Sequence, residues 1–425
     1  KLCSSKFQVC NTQYYAHNTE YNEFIEVFSL TEDLIVVAGA GLGGLGVALG
    51  LAQNGKRAVV LEKAPALGEI GAGIQLGPNA FHSFDYLGVG KRARKQAVYV
   101  ERLRFMDAMS AEEVNNVPLG EGFRERFGNP YAVVHRADLH KELVNACEEH
   151  DLVELRVNSE VIGYDQDGTT VTAHLASGER VNGSLLIGAD GLHSSVRGKV
   201  IGDGAPRTSG HSTYRAVIPV DTMPEDLRWN AATLWMGPKC HLVHYPLSGW
   251  KVFNLVVTKD NHAQDVVAGK PLTKADVHEH FDHIHETPRR LIDLSEDWRV
   301  WVLCDREPVD NWVDGRVVLL GDAAHPTLQY YAQGACMALE DGVCLSQLVA
   351  ATPDNLEGAL QRYQERRLVR TARIQIGSRQ LGDNWFHVDG VHRLLRNEIM
   401  GNMTAEDYYN QLDWLYGHNE AKLAA

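Results

Sequence analysis

A glycine-rich turn between an apolar strand and a helix constrains the fold of this chain more than any other feature. The segment Gly39–Gly44 reads GAGLGG, follows the apolar run Leu34–Val37 and precedes a predicted helix over Leu45–Gln53. A second predicted strand, Arg57–Leu61, comes next and is followed by the acidic residue Glu62. The pattern GxGxxG at this place in a β-α-β unit is typical of dinucleotide-binding domains. We therefore predict an α/β fold around a buried parallel sheet.

Each glycine of the GxGxxG pattern has a physical role. Gly39 allows the tight turn, Gly41 lets the backbone approach a pyrophosphate, and Gly44 lets helix and strand pack closely. The helix start near Leu42 offers free N–H groups and a partial positive charge to that pyrophosphate. Glu62 stands where an acidic residue accepts hydrogen bonds from a ribose diol. A glycine turn without a ligand is the alternative, and the combination of strand, helix and acid disfavours it. The motif does not choose between NAD and FAD.

Two further turns place an aspartate after an apolar strand. The turn Gly188–Gly191 contains Asp190 and follows the run Leu185–Ile187, and Asp322 follows the run Val317–Leu320. In open α/β sheets, ligands bind at the carboxyl ends of parallel strands, where both carboxylates are predicted to lie. An aspartate there can equally cap the next helix, so either turn alone leaves both interpretations open. Two such turns together with one GxGxxG form a more specific pattern.

The rest of the chain changes character along its length. Four runs indicate an antiparallel sheet between about His211 and Cys304, and they cover Thr213–Val220, Ala232–Met236, His241–Leu247 and Lys251–Thr258. We expect a Rossmann-like α/β domain that is interrupted by an antiparallel β-sheet domain, with a helical C-terminal region. The predicted bounds are 34–100, 130–210 and 305–355 for the first domain, 101–129 and 211–304 for the second, and 356–425 for the helical region. Residues 1–33 are predicted to form an N-terminal arm to which we assign no role.

Charge and cysteine usage exclude several classes of protein. The formal net charge is -14, which argues against a nucleic-acid binder and against a protein of anionic membranes. No uninterrupted apolar run reaches the ~18 residues of a transmembrane helix, and residues 1–33 lack the pattern of a signal peptide. The seven cysteines are scattered without a CxxC pair, which disfavours both a disulfide framework and a metal site. We therefore expect a cytoplasmic protein without a resident metal.

Three motifs together resemble the single-component FAD-dependent aromatic hydroxylases: Gly39–Gly44, the IGADG and SSVR groups of residues 187–197, and the GDAAHP of residues 321–326. The resemblance implies that FAD is the tightly bound dinucleotide. It would place Glu62 and Lys63 at the adenosine ribose and Arg136 at the ribose–phosphate region. Asp322 would bind the ribityl chain, and the counterpart of Asp190 is implicated in binding both FAD and the nicotinamide coenzyme.

The helix predicted to begin near Gly334 and Ala335 would aim its N-terminus at the pyrimidine edge of the flavin. Reduced flavin is negatively charged there, and a helix dipole stabilises that anion. The sequence holds one dinucleotide fingerprint and no CxxC, unlike a disulfide reductase. This pattern fits a family in which NADH or NADPH is a transient co-substrate. A homodimer is the assembly that the resemblance implies.

The loop after GDAAHP and one strand of the antiparallel sheet hold the candidate catalytic residues. The family typically has a proline four residues after the histidine of this motif, where this chain has Gln329. On the predicted strand, His241 and Tyr245 face one way and His244 faces the other, because side chains alternate. Spacing alone does not decide which histidine faces the flavin. Arg215 is a candidate partner for a substrate carboxylate or equally a structural ion-pair residue, and we assign it no role.

Four segments are similar to the 3-hydroxybenzoate 6-hydroxylases, and they cover residues 124–136, 240–246, the Gln329 loop and 414–417. The similarity implies that His241 and Gln329 flank the substrate phenol and that Tyr131 and Tyr245 line the pocket. A phenol titrates near ~10, and a neutral histidine can accept its proton near pH 7. The implied reaction is para-hydroxylation of a small aromatic acid, 3-hydroxybenzoate, to gentisate with NADH and O2 through a C4a-hydroperoxyflavin.

Two other functions remain open. A sister hydroxylase, such as a salicylate 1-hydroxylase, would share the flavin chemistry and differ in its pocket. An FAD-dependent dehydrogenase or oxidase would reduce an acceptor or form hydrogen peroxide without inserting oxygen.

Overall fold

The computed structural model describes residues 34–68 and 73–423, so the predicted N-terminal arm lies outside the described residues. The strands are β1 (Leu34–Ala38), β2 (Arg57–Leu61), β3 (Gly73–Leu76), β4 (Arg102–Asp107), β5 (Glu113–Pro118), β6 (Ala132–His135), β7 (Val153–Arg156), β8 (Val161–Gln166), β9 (Val171–Leu175), β10 (Arg180–Gly183), β11 (Leu185–Gly188), β12 (Arg207–Pro219), β13 (Ala231–Gly237), β14 (Cys240–Leu247), β15 (Val252–Ala263), β16 (Ala268–Leu272), β17 (Trp298–Asp305), β18 (Val313–Asp314) and β19 (Val317–Leu319). The helices are α1 (Leu42–Gln53), α2 (Pro78–Tyr86), α3 (Gly90–Gln96), α4 (Glu121–Phe127), α5 (Arg136–Glu148), α6 (Ser195–Val200), α7 (Lys274–His278), α8 (Glu286–Arg289), α9 (Gly334–Ala351), α10 (Leu356–Leu381), α11 (Gly390–Gly401), α12 (Ala405–Tyr416) and α13 (Glu420–Leu423).

A six-stranded sheet carries the glycine turn. Its order is β18-β19-β11-β1-β2-β7, and all neighbours are parallel except β18, which is antiparallel to β19. Its central strands are short and almost fully buried, as expected for strands covered on both faces. The strand order brings the carboxyl ends of β1, β11 and β19 together. The three glycine turns of the sequence therefore meet at one edge of this sheet.

Helix α1 begins at Leu42, three residues earlier than predicted, although its first turns are rich in glycine. The glycines are compatible with a helix here because they let α9 pack closely. A Cβ at Gly43 would lie 3.0 Å from that of Ala338, and one at Gly50 would lie 2.4 Å from Ser346 Oγ. The earlier glycine of α1 thus faces the earlier residue of α9, and the later glycine faces the later residue. The helices are parallel neighbours, and their N-termini lie at the same end.

An eight-stranded sheet forms the second layer, with the order β16-β17-β12-β15-β14-β13-β4-β5. The predicted antiparallel strands are present, and β4 adds to them in parallel beside β13. Strands β12 and β15 are longer than predicted, at 13 and 12 residues. One face of the sheet packs into a separate apolar core that includes Trp235, Leu242 and Phe281. The other face is turned towards the rest of the protein and bears the candidate substrate residues.

The C-terminal helices close the structure over this second face. The hydroxyl of Tyr409 on α12 donates to the carbonyl oxygen of Pro118 at 2.6 Å, and Arg393 on α11 pairs with Asp107 at 2.6 Å. The predicted α/β class with an antiparallel sheet and a helical C-terminal region is confirmed.

Helix α9 is the one helix within the described ranges that is long and apolar enough to cross a membrane. Two-thirds of it, 67%, is buried inside the protein, where it packs against α1. It has the surroundings of a core helix.

Candidate active site

A cavity of about 730 Å³ lies between the two large sheets and the C-terminal helices. This is within the usual size range of small-molecule sites. The glycine turns border one part of it, and the eight-stranded sheet borders another. The sequence-predicted residues that line it are Gly41, Leu42, Tyr131, Arg136, His241, Tyr245, Asp322, Gln329, Gly334 and Ala335.

The N-termini of α1 and α9 both open onto the cavity. Neither N-cap residue, Gly41 or Gln333, supplies a side-chain hydrogen bond to its helix. The first N–H groups of both helices are thus available to an anion, which the helix dipoles also favour. A Cβ at Gly41 would meet no atom within 4 Å, so the space beside this residue is open.

The other two glycines of the GxGxxG pattern, Gly39 and Gly44, are required by the fold even without a ligand. Gly39 has φ +101°, a conformation that residues with a side chain rarely adopt. A Cβ at Gly44 would lie 2.0 Å from the carbonyl oxygen of Gly39, which is a backbone clash. The predicted roles of tight turn and close packing therefore agree with the geometry at these two positions.

Glu62 is tied to the glycine turn by hydrogen bonds. Its Oε2 accepts from the N–H of Ala40 at 2.8 Å, and its Oε1 accepts from the N–H of Ala64 at 2.9 Å. Lys63 beside it is exposed. Neither residue lines the cavity, but both lie at the end of β2, next to the turn. Their assignment to the adenosine ribose stays a prediction.

Asp190 caps helix α6. Its carboxylate accepts hydrogen bonds from Ser194 Oγ at 2.5 Å and from the N–H groups of Ser195 and Val196 at 2.8 and 3.2 Å. Burial raises the pKa of Asp190, and these hydrogen bonds act in the opposite direction. The geometry thus supports the capping interpretation that the sequence left open. Its role towards FAD and the nicotinamide coenzyme stays a prediction.

Asp322 and Arg136 present opposite charges at the cavity. The carboxylate of Asp322 is exposed to the cavity that it borders, and the desolvation caused by the surrounding protein, chiefly, raises its pKa. The positive charge of Arg136, the first residue of α5, acts to lower that pKa. Two helix N-termini and an arginine suit a pyrophosphate, and an accessible carboxylate suits a hydroxylated chain. This donor set fits FAD.

The loop that carries Asp322 is held by two residues whose function the sequence analysis did not recognise. Arg197, fully buried, donates from Nη1 to the carbonyl oxygens of Ala323 and Ala324 at 2.8 and 2.7 Å. Asp341 Oδ2 accepts from the Gly321 N–H at 3.0 Å and contacts His325 Nε2 at 2.6 Å. Burial opposes ionisation of Asp341, yet the charges of His325 and Arg367 outweigh it and hold the pKa below its ordinary value. Arg197 lies in the quoted SSVR motif, which could have indicated this contact.

One cluster away from the cavity lining has suitable atoms for a metal ion. Oxygen and nitrogen atoms of Glu340, His418 and Glu420 lie within 4.8 Å of one another. Both carboxylates already form ion pairs with Arg367, at 2.7 and 3.2 Å. The cluster is therefore a buried ion-pair network that joins α9, α10 and α13.

The cavity face of the eight-stranded sheet presents His241, Val243 and Tyr245 from β14. His244 points to the opposite face, where it packs beside Phe253, and neither of its ring nitrogens has a hydrogen-bond partner among the described residues. Strand alternation thus separates the two histidines as predicted. Burial lowers the pKa of each from 6.5 to about 3, so both are neutral at pH 7.

Two tyrosines stand beside each other at the cavity. Tyr131 donates its hydroxyl hydrogen to Gln75 Oε1 at 2.5 Å. Tyr245 packs against Gly73, where an added Cβ would lie 2.6 Å from the ring. Burial raises the pKa of both hydroxyls, so they are neutral hydrogen-bonding groups.

Gln329 bridges the loop before α9 and the sheet. Its Nε2 donates to Thr258 Oγ1 at 2.8 Å, and its Oε1 accepts from Arg215 Nη2 at 3.1 Å. A proline at this position could make neither bond. The amide is thereby held in one orientation at the cavity wall.

Arg215 is a cavity-lining cation that the sequence analysis left without a role. Burial, chiefly, lowers the pKa of its guanidinium, and Nε has no hydrogen-bond partner among the described residues. The guanidinium donates to Gln329, and its central carbon lies 5.4 Å from the centroid of the Trp301 ring. Within the described ranges it forms no ion pair, so a structural ion pair does not account for it. Strand alternation places Arg215 on the same face of β12 as Thr213, whose Oγ1 lies 3.4 Å from Gln329 Nε2. The sequence does not show that the Gln329 loop packs against this strand, so only the structure identifies the contact.

Comparison with known proteins identifies the family. The FAD binding domain model matches residues 32–376. The 3-hydroxybenzoate 6-hydroxylase 1 of Aquipseudomonas alcaligenes is 55% identical over 90% of this chain and 97% of its own length. The 3-hydroxybenzoate 6-hydroxylase of Polaromonas naphthalenivorans is 47% identical over 91% of this chain and 96% of its own.

Two solved structures share the fold. Klebsiella pneumoniae HpxO complexed with FAD and uric acid is 26% identical with a TM-score of 0.79, covering 92% of this chain and 97% of that protein. A salicylate hydroxylase substrate complex covers 92% and 98%, with 22% identity and a TM-score of 0.78. Because close relatives match over nearly the whole chain and the donor set fits FAD, the chain belongs to the FAD-dependent aromatic hydroxylases and is a flavoprotein monooxygenase.

Proposed function

We propose that this monooxygenase uses NADH and O2 to hydroxylate 3-hydroxybenzoate para to its hydroxyl group, giving 2,5-dihydroxybenzoate. One observation carries the proposal. A neutral imidazole, an oriented amide and a guanidinium without a carboxylate partner among the described residues border the same cavity, as His241, Gln329 and Arg215. These groups suit a ring that carries one phenol and one carboxylate. The two relatives named above are both called 3-hydroxybenzoate 6-hydroxylases.

The phenol is proposed to bind in its protonated form and to donate to His241. The pKa of His241 is about 3 because of burial, whereas a free phenol titrates near ~10. Complete proton transfer before the reaction would therefore be strongly unfavourable. FAD, when bound, would supply the activated oxygen for attack on the ring. As electron density leaves the phenol oxygen during that attack, its proton moves towards His241, which acts as a general base.

The carboxylate is proposed to pair with Arg215, whose charge needs a counter-ion in this buried position. Gln329 contacts Arg215 and also borders the cavity, so it couples the two ends of the substrate site. Attachment at both the phenol and the carboxylate fixes which ring carbon faces the flavin. In 3-hydroxybenzoate that carbon is C6, which lies para to the hydroxyl and ortho to the carboxylate. Tyr131 and Tyr245 complete the proposed pocket.

A panel of monohydroxybenzoates tests the proposal. The purified holoprotein is mixed with NADH or NADPH, and coenzyme oxidation, hydrogen peroxide and aromatic products are measured for each compound. We expect 3-hydroxybenzoate to stimulate NADH oxidation and to yield 2,5-dihydroxybenzoate with little peroxide. Catechol and CO2 from salicylate would instead support a salicylate 1-hydroxylase. Peroxide without any hydroxylated product would support an oxidase.

A further inference from the structure

His387, from the C-terminal helical region, contacts the imidazole of His241. The distance from His241 Nδ1 to His387 Nε2 is 2.8 Å, and the two rings are stacked with centroids 5.1 Å apart. His387 ends the π-helical turn Gly382–Phe386, and its carbonyl oxygen accepts from the Lys239 N–H at 2.8 Å. This hydrogen bond ties the backbone of His387 to the residue that precedes β14, the strand that carries His241, and so fixes the two imidazoles relative to each other.

Both rings are buried and neutral. Burial, chiefly, lowers the pKa of His387 as well as that of His241. Titratable groups around the pair are His211, Lys259, Asp260, Tyr330 and Asp383. None of these carboxylates reaches either ring: the ion-pair distance of 3.9 Å from Asp383 is to His211. Within the described ranges, His387 is the one hydrogen-bond partner of the His241 ring.

A hydrogen bond between two neutral imidazoles has only two forms. Either His241 carries its hydrogen on Nδ1 and donates to His387, or His387 carries its hydrogen on Nε2 and donates to His241. In the first form Nε2 of His241 has a free lone pair for a ligand. In the second form Nε2 of His241 bears the hydrogen and cannot accept one from a phenol. The partner on Nδ1 therefore decides what Nε2 can do.

We propose that His387 is a positioning residue that accepts a hydrogen bond from His241 Nδ1 and so keeps the His241 Nε2 lone pair directed at the substrate phenol. This rests on the proposed function, because it takes His241 as the acceptor of the phenol proton. The arrangement gives a neutral imidazole the orienting role that a carboxylate has in many acid–base sites. Nδ1 of His387, which has no hydrogen-bond partner among the described residues, would then carry that ring's hydrogen.

The tautomer can be measured without any substrate. The holoprotein is labelled with 15N-histidine, and the His241 ring nitrogens are assigned by their loss in His241→Asn. We expect wild-type His241 to be protonated at Nδ1 and unprotonated at Nε2. His387→Gln offers an amide oxygen to Nδ1 and should keep that tautomer, whereas His387→Phe should shift His241 towards the Nε2-protonated form.

Product yield gives the second readout. With 3-hydroxybenzoate, hydroxylated product per NADH should fall at least about tenfold in His387→Phe and stay within about threefold of wild type in His387→Gln, since only the latter offers an acceptor. His244→Gln is the matched control, because this buried histidine of the same strand faces away from the cavity. Equal FAD content and melting temperature show that the variants are folded.

Three outcomes would overturn the assignment. One is a wild-type His241 that is protonated at Nε2 in the resting holoprotein. Another is a tautomer that does not change in His387→Phe, and the third is an equal loss of product in the Gln and Phe variants. A failed hydroxybenzoate panel with the expected tautomers would contradict the proposed function instead, because the tautomer is read in substrate-free protein.

Discussion

Replacing Gly41 with alanine tests whether FAD lies against the glycine turn. Gly41 has φ −72° and ψ 179°, which any residue can adopt, and an added Cβ would meet no atom within 4 Å. The free energy of unfolding of the flavin-free protein should therefore change by less than about 0.5 kcal/mol. A pyrophosphate held by the N–H groups of α1 would occupy the same open space. The added methyl would then be overpacked, at a cost of about 1–3 kcal/mol, and the FAD dissociation constant would rise about 5- to 150-fold.

Gly44→Ala is the matched control from the same motif. Its Cβ would lie 2.0 Å from the carbonyl oxygen of Gly39, whether or not FAD is bound. This variant should lose about 3 kcal/mol of stability even without flavin, because backbone atoms must move. The two alanines therefore separate a glycine that the ligand requires from one that the protein requires.

The assay has two parts. Urea denaturation of the flavin-free proteins measures the free energy of unfolding, and FAD fluorescence during titration of the apoprotein measures the dissociation constant. An FAD affinity of Gly41→Ala within twofold of wild type would refute the placement of the pyrophosphate. A large loss of stability in that variant without flavin would refute the geometric argument about open space.

Three further predictions concern buried titratable side chains. Arg197→Met should lower the free energy of unfolding by about 2–5 kcal/mol in urea denaturation, because it leaves the buried carbonyl oxygens of Ala323 and Ala324 without their donor, while Asp203 keeps its ion pair with Arg306. A change below about 1 kcal/mol would contradict the anchoring role. Arg215→Met should raise the KM for 3-hydroxybenzoate at least about tenfold. It should also lower the ratio of kcat/KM for 3-hydroxybenzoate to that for phenol, which lacks the carboxylate. An unchanged ratio would contradict the proposed ion pair. Because His241 and His244 have pKa values lowered to about 3, the unfolded chain binds more protons than the folded protein below about pH 6.5. Stability should therefore fall as pH drops through this range, and His244→Phe should make the fall shallower in urea titrations at pH 7 and pH 5; an equal pH dependence would show that His244 does not contribute.

Local patterns of the sequence predicted much of the secondary structure. The bounds of β2 match the prediction, and α9 begins at the predicted Gly334. These elements depend on apolar runs and turn residues within a few positions of one another. The start of helix α1 was harder to predict, because glycine disfavours a helix locally. Only the close packing of these glycines against α9 offsets that cost.

In the candidate site, too, some residues could be placed from local sequence patterns and others only from tertiary contacts. Alternation along β14 separates His241 from His244, since it depends only on strand geometry. Asp190 could be read in two ways, and its partners in α6 favour the capping interpretation. Arg215 could be read in two ways as well, until its contact with Gln329 became visible 114 residues away along the chain.

The sequence by itself determined the dinucleotide turn, the family and the faces of the strands, because each depends on residue identity at short spacing. Only the tertiary structure decided that two helix N-termini meet at one cavity, that Arg197 and Asp341 hold the Asp322 loop, and that His387 lies 2.8 Å from His241. Those contacts join elements that are distant in sequence and are set by the packing of whole layers. No local pattern specifies which distant side chain will fill the space beside a buried imidazole.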